Sequence, residues 1–176
     1  MPKKNKLAKY ELVRERLATG DLVEWNSNNL IGWLIRLRTG SDVNHSSLVV
    51  KFEDEHCEQR RYVLEANAGG IELHLLSNRL KSHDGKAYWH RLKNEHDHKR
   101  KKIRGWALDK IDTEYDYGSL IKQLFAKVSV NGRRYFCSEF YQAAIEFVQI
   151  IPKQKKAIQP GGFEKFGILN KKLDIL

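Results

Sequence analysis

Short apolar runs with β-type residues fill the first half of the chain, and a helical period replaces them in the second. Leu7, Tyr10, Leu12, Val13 and Leu17 stand among lysines and arginines at a loose helical spacing, which predicts a basic N-terminal helix within residues 1–18. Thr19-Gly20-Asp21 ends it, and Leu22-Val23-Glu24-Trp25 reads as a short strand. Asn26 to Asn29 are helix-capping types ahead of a helix over Leu30 to Arg38, which stops near Gly40. Asn44 to Phe52 and Arg61 to Ala66 are strand-like and flank a charged connector, Glu53 to Arg60, so they read as a β-hairpin with a long polar loop. Ile71 to Leu76 is a third strand-like run after the Asn67 to Gly70 turn, and Ala87 to Leu92 is a fourth.

From His98 the period is helical, with Ile103, Trp106, Ala107 and Ile111 on one face. Tyr115 to Gly118 interrupts, and Ser119 to Val128 resumes. After the Asn131-Gly132 turn, Phe140, Ala143, Ala144, Phe147 and Ile151 form the stripe of a helix that Pro152 ends. Pro160-Gly161-Gly162 opens a tail, residues 160–176, that reads as irregular. Strands followed by helices give an α+β layout with a small antiparallel sheet packed on helices. No repeat or linker divides residues 1–176, so one domain with a core over 19–145 is expected.

Composition narrows the partners more than the fold. Of the 176 residues, 41% are hydrophobic and 31% charged, too apolar for a disordered chain. The net charge of +10 favours an anionic partner: nucleic acid, an acidic membrane surface or an acidic substrate. Two cysteines make no disulfide framework, and neither a signal peptide nor a membrane-spanning run is recognised. A cytoplasmic setting is therefore expected.

Cys137 falls at the start of the last helix, where the helix dipole stabilises a thiolate and a nearby imidazolium lowers its pKa further. From its position alone, it reads rather as a buried structural cysteine, and it needs partners to read otherwise. His45 opens the first strand of the hairpin. If the hairpin turns near residue 55, residue i faces residue 110 − i, and His45 lies opposite Glu65, with Cβ atoms roughly 4.5–5.5 Å apart. A carboxylate there accepts the imidazole N–H and fixes its tautomer. The competing reading is a charged pair on a solvated face. A thiol, an imidazole and a carboxylate behind it form the general arrangement for an activated nucleophile.

Gly20-Asp21-Leu22-Val23, Asn29 to Thr39, Asn44-His45-Ser46-Ser47-Leu48-Val49-Val50, Val63-Leu64-Glu65-Ala66 with Gly69-Gly70-Ile71, Tyr115-Asp116 and Phe136-Cys137-Ser138-Glu139-Phe140 follow one another in order over about residues 19–145. This series resembles the permuted NlpC-type papain-like cysteine hydrolases, the YiiX/YebB-like group. The resemblance implies a circularly permuted papain-like core whose histidine strand precedes the cysteine helix. It also implies a triad of Cys137, His45 and Glu65 and hydrolysis of an amide, ester or thioester.

In that chemistry the Cys137 backbone N–H contributes to the oxyanion hole. Trp25, Asn44 and Tyr115 lie in segments that border the cleft, each better explained by structure than by catalysis. No residue is assigned to substrate binding, and no cofactor is expected. His56-Cys57 and the pair His96 and His98 lack the spacing of a zinc site, so no metal is expected either. Cys57, beside Asp54, Glu55 and Glu58, reads as the inert cysteine. The runs Lys3-Lys4-Asn5-Lys6, Lys99 to Lys102 and Lys153 to Lys156 support a second hypothesis, a module binding nucleic acid or an anionic surface, though no base-reading motif accompanies them. A catalytically silent relative that only binds is the third.

Overall fold

A computed structural model of the chain describes residues 5–28, 37, 40–52, 60–67, 70–111 and 136–176, with the side chains of Asn67, Phe136 and Cys137 outside the description. The helix expected over Leu30 to Arg38 lies outside the described residues apart from Leu37, which is helical. Ser119 to Val128 and Tyr115 also lie outside them.

Six antiparallel strands form one sheet in the order β4-β3-β2-β1-β5-β6. They are β1 (Leu22–Ser27), β2 (His45–Lys51), β3 (Arg61–Asn67), β4 (Gly70–Leu75), β5 (Gly85–His90) and β6 (Leu173–Asp174). Among the described residues the helices with described bounds are α1 (Ala8–Val13), α2 (Leu76–Ser82), α3 (Arg100–Leu108) and α4 (Phe136–Phe147). The N-terminal helix is shorter than expected, six residues of α-helix followed by a 3-10 turn over Arg14–Arg16. Leu7, Tyr10 and Leu17 are its buried positions, whereas Leu12 faces solvent.

Alternation along each strand builds two cores, one on each face of the sheet. On one face Leu22, Leu48, Val50 and Leu64 pack against Phe140, Tyr141, Ala144 and Ile145 of α4 and Ile103 and Ala107 of α3. On the other, Val23, Trp25, Val49, Val63 and Trp89 pack against Leu7, just before α1, Tyr10 of α1, and Leu76 and Leu80 of α2.

The tail is irregular apart from two short elements. Phe163–Phe166 make a 3-10 turn, and Leu173–Asp174 add the edge strand beside β5. Phe163, Ile168 and Leu169 join the α4-side core, and Ile175 joins the other.

The Gly20-Asp21 pair has a structural purpose. Asp21 is fully buried and accepts hydrogen bonds from Trp89 Nε1 at 2.8 Å, Leu92 N at 3.1 Å, Ala18 N at 3.0 Å and Arg100 Nη1 at 2.8 Å. Burial raises its pKa against the opposing pull of the Arg100 charge. Gly20 stands at φ +90°, and a Cβ there would lie 3.0 Å from Ile103 Cδ1 and 3.2 Å from Leu92 Cδ2. The pair thus joins β1, the start of α3 and the segment after β5.

Candidate active site

His45 is the first residue of β2, level with Trp25 of β1. Asn44 fixes that entry point, because its side chain accepts from Ser27 N at 3.3 Å and donates to Ser27 O at 3.2 Å. His45 Nε2 donates to Glu65 Oε2 at 2.9 Å. The imidazole is partly exposed, with a side-chain accessibility of 18%, and the carboxylate is sealed at 2%. With Nε2 carrying the proton toward Glu65, the basic lone pair of the neutral ring sits on Nδ1.

The β2–β3 register differs from the expected one. Leu48 faces Leu64 and Val49 faces Val63, so the paired numbers sum to 112 rather than 110. Ser47 therefore stands level with Glu65, and His45 reaches the carboxylate along a diagonal. A slip of two residues keeps every side chain on its face, whereas a slip of one would have separated the pair.

Three donors converge on Glu65. Besides His45, Arg79 Nε from α2 lies 3.1 Å from Oε1 and 3.3 Å from Oε2, and the Ser47 hydroxyl bonds to the carboxylate. Burial on its own would push the Glu65 pKa up, but the His45 hydrogen bond and charge, the Arg79 charge and Ser47 together hold it down at about 2. Beneath them lies Trp25, fully buried, whose Nε1 donates to Ser47 Oγ at 2.5 Å. The Arg79 guanidinium sits over the Trp25 ring at 4.6 Å from its centroid. Trp25 is thus the floor of this cluster.

Cys137 is the second residue of α4, and its side chain lies outside the described residues. Helix α4 packs on the Leu48/Leu64 face, whereas His45, Ser47, Glu65 and Trp25 project to the α2 face. Two residues beyond the cysteine, burial raises Glu139 to about 7, so near neutral pH it carries its charge only part of the time.

On the α4 side of the sheet Glu24 forms a second histidine–carboxylate pair. His90 Nε2 lies 3.0 Å from Glu24 Oε2, and Gly161 N donates to Oε1 at 2.7 Å, tying the tail to β1. Glu24 also borders a cavity of about 610 Å³ shared with Asp42, Glu164 and Lys172. An Asp42–Lys172 ion pair at 2.8 Å closes part of its rim. This cavity is on the face away from the His45–Glu65 pair.

Among the described residues no group of three or more His, Cys, Asp or Glu side chains is placed to hold a metal ion. His96 and His98 share a 3-10 turn, and His56 and Cys57 lie outside the described residues. No helix among the described residues is long and apolar enough to cross a membrane.

The family model for the permuted papain-like amidase enzyme, YaeF/YiiX type (Peptidase_C92), matches residues 16–168. The chain belongs to this amidase family. Membership makes it a papain-like hydrolase with permuted topology. Of the solved structures, the metalloprotein yiiX from Escherichia coli O157:H7 is similar at 18% identity and a TM-score of 0.54, over 89% of this chain and 96% of that one. That likeness supports the same α+β fold. No curated protein matches the chain.

The structure brings His45 and Glu65 together as the sequence reading expected, leaves the Cys137 side chain outside the described residues, and adds Arg79 and Ser47, which that reading did not single out. Ser47 carried a signal, since it lies two residues from His45 and so on the same strand face. Arg79 carried none, because the segment after Leu76 has only Leu80 to suggest a helix.

Proposed function

We propose that this amidase-family chain hydrolyses an amide bond, or an ester or thioester, with Cys137 as nucleophile, His45 as general base and acid, and Glu65 as the group that orients the base. The observation that carries the reading is the 2.9 Å bond from His45 to a sealed, anionic Glu65. His45 takes the thiol proton, and the Cys137 sulfur attacks the carbonyl carbon to form a tetrahedral oxyanion. The imidazolium returns the proton to the leaving amine, alcohol or thiol as the C–N, C–O or C–S bond breaks. Water, losing a proton to the same imidazole, then releases the acyl group as a carboxylic acid. Glu65 stays ionised throughout and stabilises the imidazolium.

The face assignments add a requirement. Because His45 projects away from α4, the thiol has to meet the imidazole past the end of β2, where that strand begins. A cytoplasmic, reducing setting fits a nucleophile that works as a thiol. The test is acylation by p-nitrophenyl acetate followed by peptide mass spectrometry. A transient acetyl group on Cys137, absent in His45→Ala, supports the triad. Absence of acylation, or acylation indifferent to His45, contradicts it.

A second reading concerns the substrate's carrier. Lys99 Nζ donates to Gln149 O at 2.9 Å, which brings the run Lys99 to Lys102 beside the loop leading to Lys153, Lys155 and Lys156. The combined basic surface suits an anionic polymer or an acidic membrane. Salt-dependent binding to DNA or to anionic vesicles, retained in Cys137→Ala, tests it, and equal binding to neutral vesicles would count against it.

A further inference from the structure

We propose that Arg79 is a positioning residue for the base: it anchors the Glu65 carboxylate beside His45 and offsets its charge, so that His45 stays neutral and proton-accepting near neutral pH. Only in naming His45 as the base does this rest on the proposed triad.

The geometry supplies the argument. A carboxylate this well sealed, hydrogen-bonded to an imidazole, strongly favours the imidazolium form. Left alone, Glu65 would keep His45 protonated, and a protonated imidazole accepts no proton from thiol or water. Arg79 places a second cation on the same carboxylate, with its Nε within 3.3 Å of both oxygens. A shared anion stabilises each cation less, and the two cations disfavour each other across it. The guanidinium is itself held in place by the Trp25 ring at 4.6 Å, and Trp25 also fixes Ser47. Its orientation is therefore built into the core rather than left to a surface side chain.

Other charged or titratable groups on this side of the sheet have partners of their own. Glu72, level with Glu65 on β4, bonds His74 at 3.0 Å. His83, at the end of α2, meets the edge of Trp25 and the carbonyl of Asn26. Lys6 caps the carbonyls of Lys81 and His83. Among the described residues, Arg79 is the cation that bonds the carboxylate facing His45.

Arg79 is one-quarter exposed, so neutral replacements at this position are tolerable to the fold. The experiment is an NMR titration of the His45 ring protons in Cys137→Ala and in the double variants that add Arg79→Gln, Arg79→Met or Arg79→Lys. The Cys137→Ala background makes the readout independent of any thiol chemistry, so failure of the triad does not affect it. The His45 midpoint should rise by about 0.5 pH unit or more in the Gln and Met variants, and stay near its starting value in the Lys variant. Two neutral variants keep the test available if one fails to fold. A midpoint that stays put or falls on neutralisation, or that moves equally with Lys, would overturn the proposal. Separately, if Arg79→Gln shifts the titration as expected while Cys137 shows no acylation, the triad fails, and what stands is that Arg79 anchors Glu65 and keeps His45 neutral.

Discussion

His45 and Glu65 meet on a diagonal: Ser47, two residues along β2, stands level with Glu65, yet His45 Nε2 closes to 2.9 Å of the carboxylate. The diagonal leaves room for Ser47 and Arg79 on the same two oxygens. As a result the carboxylate is satisfied by three side chains rather than one.

Acid stability should report that arrangement. Glu65 titrates at about 2 in the folded protein against an ordinary 4.5, so its folded value is depressed. Its contribution is complete above about pH 4.5 and is lost as the pH falls toward 2. Urea unfolding at several pH values should show a steeper acid loss in the wild type than in Glu65→Gln. Parallel curves for the two proteins would contradict the assignment.

Asp21→Ala should destabilise the fold by about 3–5 kcal/mol, because it leaves the Arg100 guanidinium and the Trp89 indole N–H without their buried acceptor. Equilibrium denaturation measures this, and a loss below about 1 kcal/mol would show that solvent replaces the carboxylate.

Gly20→Ala tests backbone and space together. The residue sits at φ +90°, and its added methyl would press on Ile103 and Leu92. About 1–3 kcal/mol should be lost. Thermal unfolding of Ile103→Val,Gly20→Ala beside the single variants would show part of the loss recovered if the contact with Ile103 contributes.

Glu24 should govern the tail rather than the chemistry. Glu24→Ala removes the acceptor for Gly161 N and the partner of a fully buried His90. A cost of about 1–3 kcal/mol follows. Amide exchange should accelerate across residues 158–167 and remain slow in β2 and β3. Uniform acceleration would mean that the pair stabilises the whole sheet.

Much of this was legible in the residues because a half-buried strand announces itself by its period. Leu22, Leu48 and Leu64 on one face, and Val23, Val49 and Val63 on the other, locate three strands and both cores. The exact turn of the β2–β3 hairpin was not legible, since a long polar connector has no sequence signal for its midpoint. Its period of two protected the His45–Glu65 face from that error. Helix α2 was missed because seven residues with Leu76 and Leu80 as the buried positions make too short a stripe. That the tail's apolar residues enter the cores was not legible for a different reason. Phe163, Ile168, Leu169 and Ile175 have no common period and are delivered to two cores by turns, including a left-handed Gly167.

The most direct test of the central claim is the rate of iodoacetamide alkylation at Cys137 against pH, resolved by peptide mass spectrometry with Cys57 as internal reference. The triad predicts that Cys137 reacts well below pH 8, where an unperturbed thiol of pKa about 8.5 is mostly protonated. His45→Ala should abolish that advantage, and Glu65→Gln should reduce it. If Cys137 follows the same pH curve as Cys57 and neither substitution changes it, the thiol is structural and the proposed catalytic role is wrong.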